Sequence, residues 1–368
     1  MKRAAAVLAA AALLLTGCSG VRLKYRDLAK LQIVRTLAVD REGGGVTVTA
    51  EAGEDGGAKI YTVSAASFGE AVHLMRTAPE CGDTFFAHTE HLLIGEAAAR
   101  EGIEGIIDFV VRSTEMRMDA DVFIVRGDGE KVLKSAGEGG VSDFLSFMKD
   151  YAAREGSSYM TDCADAAAEI EEGGAFLLSA LELRRSGDIT GSEALAFDGG
   201  LAVISGGKLQ YFLTEEEARG AVLIENKFRG GVVTVPGPGG EAALRLTAAK
   251  VRLNPVYESE KLVSLELLGE MEAGVIQAEG ADPKDAGTRE ALERAAAERE
   301  AEAILLAVKR AQTTGLDFLG LGAELYRQSP MRFAGTADNW EELFPELPIT
   351  VTAACRVART YELGEELK

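Results

Sequence analysis

The sequence predicts an α+β protein made of three mixed α/β domains, in which β-sheets pack against helices. Its 368 residues, 47% of them hydrophobic, suit two or three packed domains and exceed what one simple core needs. Strand and helix patterns alternate in the first third of the chain, as expected of an α/β layer. In the last third a helical pattern of about 30 residues stands between strands, which indicates a C-terminal α+β domain.

The first residues have the features of an export signal. Lys2 and Arg3 precede an apolar run over residues 4–15, and small residues follow up to Cys18. A run of about 12 residues is too short to cross roughly 30 Å of hydrocarbon as a stable helix. A basic start, a short apolar run and small residues are typical of a cleaved secretory leader. We therefore predict that residues 1–17 are a signal peptide.

Cys18 is the predicted lipid attachment site. The segment Leu15-Thr16-Gly17-Cys18 is similar to a bacterial lipobox, in which the thiol receives a diacylglyceryl group and cleavage leaves the cysteine first. Residues 18–30 would then form a lipidated tether, with basic residues at Arg22, Lys24, Arg26 and Lys30. Each of these could add about 1 kcal/mol of attraction to anionic lipid. An ordinary solvated linker explains them equally well.

The chain is strongly acidic. Its net charge is −20, and removal of the leader with Lys2 and Arg3 makes it −22. Such a charge repels phosphates, so we expect no nucleic-acid partner. No later segment has 18 consecutive apolar residues, so the mature chain is predicted to reach the membrane only through the lipid on Cys18.

Residues 31–190 are predicted to form an N-terminal α/β domain. Strands at 31–40 and 46–51 flank a glycine-rich turn and should form a hairpin. A helix is expected at 67–77, because Ser67 can cap it and Glu70 follows three residues later. The remaining patterns predict strands at 90–95, 122–126 and 176–185 and helices at 103–112, 142–154 and 165–171.

Residues 191–250 are predicted to form a small β-rich middle domain, and residues 251–368 a C-terminal α+β domain. The long helix 285–314 carries oppositely charged side chains four residues apart, such as Arg289 and Glu293. Residues 236–240 are rich in Pro and Gly and should form a turn. The other patterns predict strands at 194–204, 208–213, 242–253, 263–275 and 348–360 and a short helix at 316–326.

Trp340 is the only tryptophan. We predict that it is an apolar plug that docks the connection before the last strand onto the C-terminal domain. The alternative is an exposed anchor for another protein, because aromatic residues are enriched at such anchors.

The segment His88-Thr89-Glu90-His91 suggests a metal site, with Cys81 and His73 nearby. If residues 88–91 are extended, however, His88 and His91 point to opposite faces, whereas zinc ligands must converge within about 2.1 Å of the ion. We therefore predict a structural pair of histidines and no metal.

Motifs for catalysis are missing from the sequence. It contains no Gly-x-Ser-x-Gly elbow, no P-loop and no dinucleotide-binding glycine pattern after a strand. We interpret the acidic runs at 215–217 and 341–342 as solvated faces, and Gly320 and Gly322 as positions of close packing. Three histidines leave little for acid/base chemistry. We expect neither an enzyme nor a bound cofactor.

Three cysteines remain after lipidation: Cys81, Cys163 and Cys355. An odd number with wide spacing predicts no disulfide framework. Buried free thiols are the favoured state, and one bridge between two of the three stays open in an exported protein.

Several segments of the chain together resemble a known family. In the first half they are the strand ending at Asp40, the His-containing segment 84–96 followed by 99–102, and the helix 107–112 with Glu115 and Arg117. In the second half they are residues 317–322, 325–327, Pro330, Trp340, Leu343, Phe344 and the strand 349–357. These segments, in this order, are similar to those of the Ger(x)C family of spore germination lipoproteins. Two positions depart: the family commonly has an aromatic residue where Ser19-Gly20 stand, and often a Trp where Phe333 stands.

The resemblance implies the C subunit of a nutrient germinant receptor, with a fold of three α+β domains and no catalytic residue. It also implies partners, the A and B membrane subunits of the receptor, and a location on the outer face of the spore inner membrane or cell membrane. The alternative from another class is an extracytoplasmic solute-binding lipoprotein. An aromatic content of 6% is modestly against a sugar-stacking cleft.

Overall fold

The computed structural model describes residues 31–53, 57–135, 140–185 and 195–359. Two β-sheets and eleven α-helices organise this part of the chain, which confirms the predicted α+β class. The predicted signal peptide, the tether and Cys18 lie outside the described residues. Among those that are described, no helix is both long and apolar enough to span a bilayer.

The first sheet has nine strands. Their order is β3-β2-β1-β5-β6-β7-β8-β9, with β4 beside the start of β1, and β1, β5, β6 and β7 run parallel. The strands are β1 Leu31–Glu42, β2 Gly45–Ala52, β3 Lys59–Ala65, β4 Asp83–Phe85, β5 His91–Gly95, β6 Asp121–Val125, β7 Ala175–Arg185, β8 Leu195–Ser205 and β9 Lys208–Phe212.

Helices cover both faces of this sheet, because successive strand residues point to opposite sides. Leu92 and Ile94 of β5 face α1, α2, α3 and α6, whereas Leu93 faces α4 and α5. These helices are α1 Phe68–Thr77, α2 Glu96–Glu101, α3 Glu104–Arg112, α4 Gly129–Ser135, α5 Ser142–Glu155 and α6 Cys163–Glu172.

The second sheet has four strands in the order β10-β11-β12-β13. β13 is parallel to β12 and reaches it by way of the long helix α8. The elements are α7 Glu215–Ile224, β10 Gly231–Gly237, β11 Gly240–Glu258, β12 Lys261–Ala278, α8 Ala286–Thr314, α9 Leu321–Gln328, α10 Pro330–Ala337, α11 Trp340–Leu343 and β13 Ile349–Arg359.

Local signals explain several of these elements. Gly43 and Gly44 both have positive φ, as the two central residues of a type I′ hairpin turn require, and the predicted β1–β2 hairpin is confirmed. Ser67 caps α1 by accepting the Glu70 N–H, as predicted. Asp285 caps α8 in the same way, and Gly315 ends it in the left-handed region.

Two carboxylates of the first hairpin hold two helices against the sheet. Asp40 accepts the N–H groups of Gly129 and Glu130, each at 2.8 Å, at the start of α4. Glu51 accepts those of Val141 and Ser142 at the start of α5. Negative charge at a helix start satisfies free N–H groups and favours the helix dipole.

Helices α7 and α8 pack very closely. A Cβ added to Gly220 would lie 2.0 Å from the carbonyl oxygen of Ala303, so only glycine fits there. The prediction that residues 215–217 form a solvated face is wrong for Glu217, which is buried. Its carboxylate completes a capping box with Thr214 and accepts a hydrogen bond from Arg310 at 2.8 Å.

The predicted helix at 316–326 begins later than expected. Residues 316–320 form a loop, because the Asp317 carboxylate accepts the N–H groups of Leu321 and Gly322 at the start of α9. An aspartate placed before a helix favours this capping role over a position inside the helix.

The segment between the two sheets is shared by them. β8 and β9 continue the first sheet, whereas β10 and the start of β11 belong to the second. Leu201 and Val203 of β8 pack in one core with Ala218 and Val222 of α7. Residues 191–250 therefore contribute strands to both sheets, and the predicted three-domain boundaries stay a prediction.

Candidate functional site

A groove of about 1060 Å³ lies where the two sheets meet. One wall is α6 with the start of β7, and the other is β11 with α9. Buried apolar side chains, including Leu177, Leu253 and Phe318, line its floor. Binding sites commonly combine such a floor with a few polar groups at a junction between structural units.

Three side chains meet inside this groove: Tyr159, Glu225 and Lys227. The Lys227 Nζ lies 4.0 Å from the centre of the Tyr159 ring and 3.6 Å from Oε2 of Glu225. The Tyr159 hydroxyl and the Lys227 ammonium both interact with the Glu225 carboxylate. The site therefore holds an ammonium group between an aromatic face and a carboxylate, which is a favourable cation–π arrangement.

Asn226 fixes the backbone between Glu225 and Lys227. It has a φ of 57°, a left-handed conformation that asparagine tolerates better than most residues. Its side-chain oxygen accepts the N–H of Val251 at 2.8 Å, and its amide donates to the Val251 carbonyl at 3.0 Å. This pairing ties the turn after α7 to β11 and directs its two charged neighbours into the groove.

Burial changes the protonation of this cluster. The side chain of Glu225 is 17% exposed, and desolvation raises its pKa from 4.5 to about 7, against the opposing effect of Lys227. Burial also raises the pKa of Tyr159, which stays a neutral phenol. Near neutral pH, Glu225 thus exchanges a proton.

The α6 wall of the groove is acidic. Asp165, Glu169 and Glu172 all line it, at a spacing that places them on one side of the helix. Burial raises the pKa of Glu169, and repulsion from Glu172 adds to the effect. On the opposite wall, Arg252 pairs with Glu270 and Arg327 pairs with Glu324, which neutralises most of the positive charge there.

His88 and His91 lie apart from this groove. His88 is exposed in a turn, so the extended conformation considered for residues 88–91 is wrong at its start. His91 begins β5 and is 2% exposed; its Nε2 lies 3.1 Å from the Ser146 hydroxyl, and burial lowers its pKa from 6.5 to about 4. Within residues 31–359, as far as they are described, no three His, Cys, Asp or Glu side chains cluster to hold a metal.

The three predicted thiols are separate. Cys81, Cys163 and Cys355 are all free and buried, as favoured from the sequence. Burial raises the pKa of both Cys163 and Cys355 to about 12, so neither is a reactive thiolate.

Trp340 docks onto the C-terminal unit, with part of its ring at the surface. Its indole N–H donates to Asp317 at 2.9 Å, and the ring packs against Phe333 and Phe344. A Cβ on Gly322 would lie 2.7 Å from the indole nitrogen, so this glycine makes the contact possible. The predicted roles of Trp340 and Gly322 in packing are confirmed. The predicted close packing at Gly320 is wrong, because a Cβ there would meet no atom within 4 Å.

The Tyr159 cluster could not be found from the sequence. Tyr159 and Glu225 are far apart in the chain, and neither belongs to a recognisable motif. The available signal was Asn226 directly after a helix, which indicates a turn and says nothing about a site.

The chain matches described families and proteins along most of its length. Residues 24–183 match the family described as spore germination protein N-terminal domain, and residues 199–361 match spore germination B3/GerAC like, C-terminal. Spore germination protein KC of Bacillus subtilis (strain 168) is 24% identical over an alignment of 381 positions, which covers 91% of each chain. The crystal structure of the GerBC protein shares the fold, with a TM-score of 0.60 and 15% identity over 90% of this chain and 100% of that chain.

Proposed function

Because the chain belongs to the Ger(x)C family of spore germination proteins, we propose that it is a non-enzymatic subunit of a nutrient germinant receptor, required for receptor assembly and germination signalling. The observation that carries the proposal is the match of both family regions, in order, over nearly the whole chain. The name of the Bacillus subtilis relative refers to spore germination, and the fold shared with the GerBC protein agrees with the family match.

The proposed partners are the A and B membrane subunits of the receptor, and the proposed location is the outer face of the spore inner membrane or cell membrane. A diacylglyceryl group on Cys18 would supply two acyl chains, which suffice for lasting attachment. Without its leader the chain has a net charge of −22, so it needs such help near an anionic bilayer.

Spores of the source organism test the proposal directly. We expect deletion of the gene to reduce the A and B subunits in inner-membrane fractions, measured by immunoblot, and to slow dipicolinate release after addition of nutrients. Full-length protein should restore both readouts. A deletion strain with unchanged subunit levels and unchanged nutrient germination would contradict the proposal.

The anchor is tested by Cys18→Ala, with Ser19→Ala as the matched control next to it. Cys18→Ala should leave the protein in the soluble fraction of cells that lack the A and B subunits, whereas Ser19→Ala should stay with the membrane. Retention of Cys18→Ala in the membrane after a high-salt wash, in those same cells, would refute lipid anchoring through this residue.

The solute-binding alternative predicts a different result. A solute-capture lipoprotein serves uptake, so its deletion would lower accumulation of a labelled nutrient in growing cells and leave A and B subunit levels unchanged. The immunoblot therefore separates the two functions even if both strains germinate slowly.

A further inference from the structure

We propose that the groove between the two sheets binds an aliphatic amine, whose ammonium group replaces that of Lys227 over the Tyr159 ring. The inference concerns binding by this chain alone and does not rest on the proposed receptor function.

Lys227 marks where a ligand ammonium would sit. Its Nζ occupies a position 4.0 Å from the Tyr159 ring centre and beside Oε2 of Glu225. Half of the Lys227 side chain is exposed, so it can swing into water and regain its hydration with little rearrangement. Tyr159 and Glu225 are far less exposed, and Asn226 holds the backbone beside Glu225 in place. Tyr159 and Glu225 are thus held in place by the protein, whereas the Lys227 side chain is free to leave the contact.

The charges around the groove favour a cation. Asp165, Glu169 and Glu172 line one wall, and burial, with repulsion from Glu172 and Asp165 added to it, raises the pKa of Glu169. On the opposite wall, Arg252 and Arg327 are paired with glutamates. Lys250 is the remaining basic residue that lines that wall. A second ammonium group on the ligand could contact the α6 carboxylates, because their negative charge lines this side of the groove.

The apolar floor of the groove favours a ligand whose ammonium group carries a hydrocarbon chain. Leu177, Leu253 and Phe318 are buried side chains that line the groove, so a short hydrocarbon chain attached to the ammonium would contact apolar surface. The groove, at about 1060 Å³, is far larger than one lysine head group. An amine with a chain of several carbons matches both features.

Titration with n-butylammonium tests the proposal, since this ion reproduces the end of the Lys227 side chain. The full-length protein in detergent micelles should bind it saturably by calorimetry. Lys227→Ala removes the competing ammonium and should bind it about tenfold more tightly than wild type, an effect of the size of one cation–π contact. A purely structural Lys227 predicts the opposite, a damaged site with no gain in affinity.

Control variants separate the groove from the general attraction of an acidic protein. Tyr159→Leu combined with Lys227→Ala should abolish the gain. Glu169→Gln should weaken binding, whereas Glu171→Gln, on the same helix but outside the groove, should not. Neutral n-butanol should bind much more weakly than n-butylammonium. If Lys227→Ala unfolds, Lys227→Gln keeps part of the stem, removes the charge and carries the same prediction.

Absence of saturable binding to both wild type and the Lys227 variants would overturn the proposal. So would equal affinity in wild type and Lys227→Ala, or equal weakening by Glu169→Gln and Glu171→Gln, because either result would mean that the amine is attracted to the acidic surface as a whole.

Discussion

Arg219 and Glu300 form a buried ion pair that joins α7 to α8. The guanidinium of Arg219 donates from Nε to Oε2 at 2.8 Å and from Nη2 to Oε1 at 2.9 Å. Glu300 is fully buried, and Arg219 is 12% exposed with its guanidinium over the Phe228 ring. A carboxylate so far from water is stable only while its partner is present.

Glu300→Ala should therefore lower the free energy of unfolding by about 3–5 kcal/mol, because it leaves the Arg219 charge buried and unpaired. Urea denaturation followed by circular dichroism measures the change. The double variant Arg219→Met with Glu300→Leu should recover most of the loss. Glu270→Ala breaks the exposed pair with Arg252 and should cost only about 0–1 kcal/mol, so equal effects of Glu300→Ala and Glu270→Ala would refute this account.

Two glycine variants test the close approach of α7 and α8. Gly220→Ala should destabilise the protein by about 3 kcal/mol, because the new methyl group would meet the Ala303 carbonyl and push the helices apart. Gly335→Ala, within α10, meets no atom within 4 Å and should stabilise by about 0.5–1 kcal/mol through its higher helix propensity. Thermal unfolding measures the stability of both variants. A Gly220→Ala protein as stable as wild type would contradict the close packing of α7 and α8.

Trp340→Phe should lower the free energy of unfolding by about 1–2 kcal/mol, because Asp317 loses one hydrogen-bond donor while its two backbone donors remain. Trp340→Ala should cost about 3 kcal/mol, since the contacts with Phe333 and Phe344 go as well. In wild type, this sole tryptophan reports on the same site by fluorescence. Native emission should lie to the blue of the urea-unfolded chain, with partial protection from iodide, and full quenching would indicate an exposed ring.

Glu225 should make stability fall with rising pH. Its pKa is higher in the folded chain, about 7, than its ordinary value of 4.5, so its contribution is complete below pH 4.5 and is lost as the pH rises through 7. As the pH rises from 4.5 to 7.5, the free energy of unfolding of Glu225→Gln should increase by on the order of 3 kcal/mol relative to that of wild type. Urea unfolding at a series of pH values measures this difference. If the difference in free energy of unfolding between the two proteins does not change with pH, Glu225 ionises at its ordinary pKa.

His91 should make stability fall as the pH decreases, which is the opposite pH dependence to that of Glu225. Its folded pKa of about 4 lies below the ordinary 6.5, so its neutral form stabilises the fold above pH 6.5, and this contribution is lost as the pH falls toward 4. Relative to wild type, His91→Gln should gain stability on acidification, by on the order of 3 kcal/mol. The His91 and Glu225 variants should thus diverge in the same titration, and parallel curves would contradict both assignments.

The elements with strong local signals were predictable from the sequence. The long helix was expected from residue 285 to 314 and is Ala286–Thr314, because its cap Asp285 and the stop at Gly315 are local in sequence. Glu217 was misjudged because its buried state depends on Arg310, which belongs to a distant helix. The groove could not be predicted either, because Tyr159 and Glu225 are far apart in the chain and become neighbours only where the two sheets meet.

The position of β13 has a consequence for how the chain acquires its structure. β12 ends at Ala278, but the strand that covers its outer edge begins only at Ile349. A chain that stops after α8 contains the whole first sheet, yet it presents an uncovered strand edge in the second. Exposed edges invite pairing with other chains. Messages truncated before codon 349 should therefore yield products that aggregate and are removed by proteases.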